Sequence, residues 1–98
     1  MTLKEGRAIR HEIETHVRMI NEKFDSERTI DHCQLTALRE YCERVRPQFV
    51  GKFGNVGGKV TEMATAAAKA RKTGELSELV RALSGIDIAL LHHESPAI

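Results

Sequence analysis

Gly51 to Lys59 reads GKFGNVGGK; it lies near the middle of the chain and holds four of its seven glycines. A phosphate-binding loop would need G-x-x-x-x-G-K-[ST] after a strand, because backbone N–H groups wrap the phosphates, the lysine meets them and the hydroxyl holds magnesium. Here Val60 follows Lys59, Phe53 stands where the first glycine belongs, and the preceding residues carry a helical pattern. The nucleotide motif fails on all three counts, and the stretch reads as a hinge between two helical halves. A weaker chemical option survives: Gly57, Gly58 and Lys59 would sit at the amino end of the following helix, where free N–H groups and the helix dipole favour an anion.

Upstream of the hinge, Thr2-Leu3-Lys4-Glu5 is a T-x-x-E capping box. Ile9, Ile13, Val17, Ile20 and Phe24 then recur at steps of four, four, three and four, which predicts one amphipathic helix over about 3–24. Asp25 to Thr29 is a polar turn. Asp31 is placed as the next N-cap, with Gln34 at the third helical position and Ile30 set to staple onto Leu35. Leu35, Leu38, Cys42, Val45, Phe49 and Phe53 keep a three-four spacing through Pro47. The unbroken phase predicts a helix over about 32–53, kinked at Pro47 or split into two short helices nearly in line.

Downstream, Val60, Met63, Ala64, Ala67 and Ala70 define a third, alanine-rich helix over about 59–72, closed by Arg71, Lys72 and a Gly74 cap. Leu76, Leu79, Val80, Leu83, Ile86, Leu90 and Leu91 define a fourth over about 75–92, which Ser95-Pro96 ends. No segment alternates as a strand would. The expected fold is all-α, an up-and-down antiparallel bundle of four helices in a single domain, 1–98. The long first pair outreaches the shorter second pair, so apolar surface would be left over, and a homodimer is expected to cover it.

Composition narrows the function. The 98 residues carry 15 Lys plus Arg against 14 Asp plus Glu, so no global field steers the chain to nucleic acid or an anionic membrane. No apolar run approaches the length of a membrane span, and MTLKEGRAIRHE lacks the apolar core of a signal peptide, so a cytoplasmic location is expected. Cys33 and Cys42 fall on opposite faces of one helix and cannot bridge.

The five histidines (His11, His16, His32, His92, His93) do not form a metal-ligand series. No glutamate is followed three residues later by histidine, and His11 and His16 lie about 140° apart on their helix. No serine or cysteine has a base at catalytic spacing, so neither an enzyme nor a cofactor is expected.

Elimination leaves a small non-catalytic protein-interaction module, a regulator, inhibitor or adaptor that binds a partner protein. Phe49, Phe53, Leu90 and Leu91 are the candidate partner or dimer contacts, with the core as their alternative place. A nucleic-acid binder using Lys69, Arg71 and Lys72 on the third helix is the second option, and a bundle holding a metal or cofactor across its helices the third.

Overall fold

A computed structural model describes residues 1–94. They form four α-helices, α1 (Leu3–Glu27), α2 (His32–Val45), α3 (Gly54–Thr73) and α4 (Ser77–Glu94), with two short 3-10 turns, Arg46–Gln48 and Gly51–Phe53, between α2 and α3. Among the described residues there is no strand. Each helix packs on its neighbours in the chain, and α1 also packs on α4, which closes a ring about one core. The bundle is elongated, 47 × 24 × 19 Å. Ser95 and Pro96, expected to end the last helix, lie outside the described residues.

The helix starts that the sequence marks with caps are built as the residues imply. Thr2 N–H donates to Glu5 Oε1 at 2.9 Å while Glu5 N–H donates to Thr2 Oγ1 at 3.2 Å, completing the capping box of α1. Asp31 Oδ1 accepts from the N–H groups of Cys33 at 2.9 Å and Gln34 at 3.1 Å. Between helices, Arg10 forks onto Asp87, with Nε to Oδ1 at 2.6 Å and Nη2 to Oδ2 at 3.1 Å, and Arg7 pairs with Glu94. These contacts join the start of α1 to the end of α4. His93 meets Asn55 Oδ1 at 3.2 Å and stacks on Phe53 at 4.6 Å, joining the end of α4 to the start of α3.

Where a helix over 32–53, kinked at Pro47 or split into two short ones, is expected, α2 ends at Val45 and two 3-10 turns follow, and the third helix starts at Gly54 rather than 59. Pro47 has no N–H to donate to the carbonyl four residues back, and it sits inside the first 3-10 turn. Gly51 then takes φ +61°, a left-handed conformation that glycine adopts without penalty. The glycines at 54, 57 and 58 disfavour a helix locally. Burial overrides them, because Val56 and Val60 are fully buried on the face that carries Met63 and Ala67.

Ile9, Ile13, Val17 and Ile20 of α1 and Leu35, Leu38 and Cys42 of α2 are all buried within this one chain. The uncovered stripes that led to the dimer expectation are therefore not found. α3 and α4, at 20 and 18 residues, are long enough to cover the first pair.

Candidate functional sites on the two sides of α3

Gly57, Gly58 and Lys59 are not at a helix end. They are the fourth to sixth residues of α3, and the N–H groups of a helix start belong to Gly54, Asn55 and Val56. Gly57 is buried against the α2–α3 corner, and Lys59 pairs with Glu62 at 3.3 Å and lies along Gly85. The anion site expected at these three residues has no helix end to supply it.

Phe49, Phe53 and Leu90 are 2%, 3% and 4% exposed, so they occupy the core. Leu91, the fourth candidate contact, is 56% exposed. It shares an outward arc of α4 with two apolar residues that the sequence reading did not single out as contacts, Ile88 at 58% and Val80 at 49%. At about 100° per residue these three fall within roughly 80° of one another, centred on Ser84. The i, i+8, i+11 spacing was visible in the sequence, but only the packing decides which of the many α4 leucines and isoleucines face out.

Between α4 and α3, beside Ile88, runs a groove of about 620 Å³. Ala66, Ala82, Gly85 and Ile88 give it an apolar floor, and Lys59, Glu62, Lys69, Glu78 and Arg81 line its rims. Its shape follows from residue size: alanine and glycine at facing positions leave room between the helices where larger side chains would fill it. Glu62 and Glu78 are each paired within their own helix, to Lys59 at 3.3 Å and to Arg81 at 3.1 Å. His92 lies with Ile88, Gly85 and Asn55 at one end of the groove.

On the other side of α3, against α2, lies a second cleft of about 460 Å³ lined by His32, Arg39, Ala68, Arg71 and Lys72. A shallower depression of about 250 Å³ adjoins it, sharing His32 and Arg71 and adding Cys33 and Thr36. The structure thus divides the expected basic trio. Arg71 and Lys72 face α2, whereas Lys69 lines the α4 groove. His32 and Arg39 join the basic side from α2. The signal for them was the i, i+4, i+7 spacing of His32, Thr36 and Arg39, which puts the three on one helix face.

Arg46, at the end of α2, is a structural clamp. Its Nε donates to Thr61 Oγ1 at 3.0 Å, and its Nη1 lies 3.5 Å from the Phe49 carbonyl. Of the two cysteines, Cys33 is exposed, while Cys42 is in the core, where burial pushes its thiol up to about 12. Cys42 is therefore a poor nucleophile. Among the described residues no three His, Cys, Asp or Glu side chains come together in a way that could hold a metal ion, and no helix is long and apolar enough to cross a membrane.

Neither protein-family models, nor curated proteins, nor solved structures contain a match to this chain.

Proposed function

We infer that the protein is a small non-catalytic interaction module that acts by binding a partner protein, and that the partner lays an amphipathic helix along α4 and the α3–α4 groove. The observation that carries this reading is the alignment of Val80, Ile88 and Leu91 on the outer arc of α4, beside an open groove with an apolar floor. Single exposed apolar residues are ordinary on a protein surface, whereas several on one helix face beside a groove are the pattern of a helix-binding site. The rims carry three cations, Lys59, Lys69 and Arg81, against two carboxylates, Glu62 and Glu78, which favours an acidic flank on the incoming helix.

A homodimer would form on this same surface, because the other apolar stripes are used inside the chain. Partner binding and self-association then compete for one face. The nucleic-acid reading has less support, since the basic trio is divided, Lys69 lining the α4 groove and Arg71 and Lys72 the α2 cleft.

Affinity capture from the native cell, comparing the wild type with an Ile88→Asp, Leu91→Asp variant, tests the proposal. Both positions are exposed, so the melting temperature should stay close to that of the wild type while the captured partner is lost. Equal capture by the variant would show that the partner binds elsewhere. Sedimentation decides the dimer: a mass of about twice the 11.0 kDa chain that falls to the chain mass in the variant supports it, and a wild-type monomer at micromolar concentration removes it.

A further inference from the structure

We propose that the α2–α3 cleft is a binding site for a small phosphate ester, its phosphoryl group held by Arg39, Arg71 and Lys72 and the rest of the molecule lying in the adjoining depression beside Thr36 and Cys33. The inference is independent of the α4 surface.

Three observations converge on it. First, the residues lining the cleft are cationic or histidine except for Ala68, and no carboxylate is among them. Second, six of the fifteen Lys and Arg side chains are in ion pairs: Arg7 with Glu94, Arg10 with Asp87 and Glu14, Lys23 with Asp31, Arg39 with Glu43, Lys59 with Glu62 and Arg81 with Glu78. Among the described residues, Arg71 and Lys72 have no such partner. Two neighbouring unpaired cations beside a third repel one another, and an anion between them relieves that repulsion. Third, Arg39 Nε is hidden from solvent and makes no hydrogen bond; its charge is met only by an ion pair with Glu43 Oε1 at 3.5 Å. A guanidinium N–H removed from water and left unbonded is costly, and an oxyanion entering the cleft can supply the missing acceptor.

The local sequence explains why there is room. Ala68 is the α3 residue between the basic groups, and its short side chain lets the long arms of Arg39 and Arg71 reach the same space. The start of α2 contributes little directly, because the N–H groups of Cys33 and Gln34 are bonded to Asp31, whose charge is matched by Lys23 at 2.9 Å. The binding groups are therefore side chains: forked guanidinium donors suited to phosphoryl oxygens, a lysine ammonium, and His32 ring nitrogen. The compactness of the cleft favours a small molecule over a nucleic-acid strand. A strand needs cations spaced along a track, and Lys69, which would extend one, faces the opposite groove.

The test is titration of the isotope-labelled chain with glycerol phosphate, with inorganic phosphate, and with a single-stranded oligodeoxynucleotide, each at ionic strength matched with chloride. Glycerol phosphate should give saturable amide shifts confined to His32–Arg39 and Ala68–Lys72, and should bind more tightly than inorganic phosphate. Arg71→Gln should weaken that binding by at least about tenfold, as expected for loss of one charge-assisted contact. Lys72→Gln, at an exposed position, should weaken it in the same direction with an unchanged melting temperature. Lys69→Gln and Ile88→Asp should leave it as in the wild type.

Absence of saturable shifts with either phosphate compound would overturn the proposal. So would equal weakening by Lys69→Gln, or binding of the oligonucleotide at concentrations where glycerol phosphate has no effect, which would assign the surface to a nucleic-acid strand.

Discussion

Between α1 and α2 the chain reverses through Arg28–Asp31, and between α2 and α3 through Arg46–Phe53. The first corner is held by polar groups close in sequence. Arg28 closes α1 in the left-handed region, at φ 55°, with its N–H bonded to the Phe24 carbonyl at 2.8 Å, and Asp31 opens α2 while pairing with Lys23. The second corner has no capping side chain at either of its 3-10 turns or at the start of α3. It is held by packing: Phe49 and Phe53 buried in the core, Gly57 pressed against Phe49, and the Arg46 guanidinium reaching across to Thr61. A corner built from caps leaves its pattern in adjacent residues. A corner built from tertiary contact leaves almost none.

The largest effect should come from Gly57→Ala. A Cβ built there lies 2.8 Å from Phe49 Cβ and 3.0 Å from Arg46 Nη1. Phe49 Cβ is tied to the backbone of a buried residue and cannot swing aside as the end of a long side chain would. Overpacking of this kind typically costs up to about 3 kcal/mol, against roughly 1 kcal/mol gained from alanine's helix propensity, so a net loss of about 2 kcal/mol is expected in chemical denaturation. Unchanged stability would mean that the corner does not depend on this close approach.

Gly58→Ala should do the opposite. It is one residue further along the same helix, and nothing lies within 4 Å of its would-be Cβ. The gain in helix propensity and the reduced freedom of the unfolded chain should then stabilise by up to about 1 kcal/mol. If 51–59 were the flexible hinge that its glycines suggest, the two substitutions would behave alike; opposite signs require a helix with one packed and one open side. Arg28→Gly carries the same logic to the first corner. It relieves a left-handed non-glycine residue, against a more flexible unfolded chain and loss of the Arg28 guanidinium 5.8 Å over Phe24, for a net gain of about 0.5 kcal/mol. A loss of stability there would show that the guanidinium contact outweighs the backbone strain.

The contrast between corners also explains what the residues disclosed in advance. The stripes Ile9–Ile20, Leu35–Cys42 and Val60–Met63 were legible because a buried helix face repeats every three or four residues whatever it packs against, and four helices packing together followed from them. The α2–α3 corner was not legible. Phe49 and Phe53 continue the phase of α2 by coincidence of spacing, and the glycines that look like a hinge are partly there for close packing. The groove and the cleft were beyond reach for a related reason: each is made by two helices, and which side of α3 Lys69 or Arg71 serves depends on where its neighbours sit. Alanine at 66 and 68 reads as helix propensity in the sequence; in the bundle it is the absence of bulk that opens space on either side.

The smallest effect belongs to the polar corner, and pH isolates it. The Lys23 ammonium holds the Asp31 carboxyl below its ordinary 3.8, with the N–H groups of Gln34 and Cys33 adding to it, and Asp31 in turn raises Lys23 above 10.5. A depressed carboxyl contributes stability that is fully present above 3.8 and is lost as pH falls through its folded value; a raised ammonium contributes below 10.5 and is lost as pH rises through its own. Asp31→Asn keeps a capping oxygen and removes only the charge. The wild type should therefore melt slightly above the variant near neutrality, and the two should converge as the solution is acidified below about pH 4, because every other carboxylate titrates in both proteins. Both side chains remain partly exposed, so added salt should shrink the difference. Parallel melting profiles from about pH 2 to about pH 7 would show that Asp31 serves this corner as a neutral cap alone, and that the ion pair with Lys23 adds nothing to it.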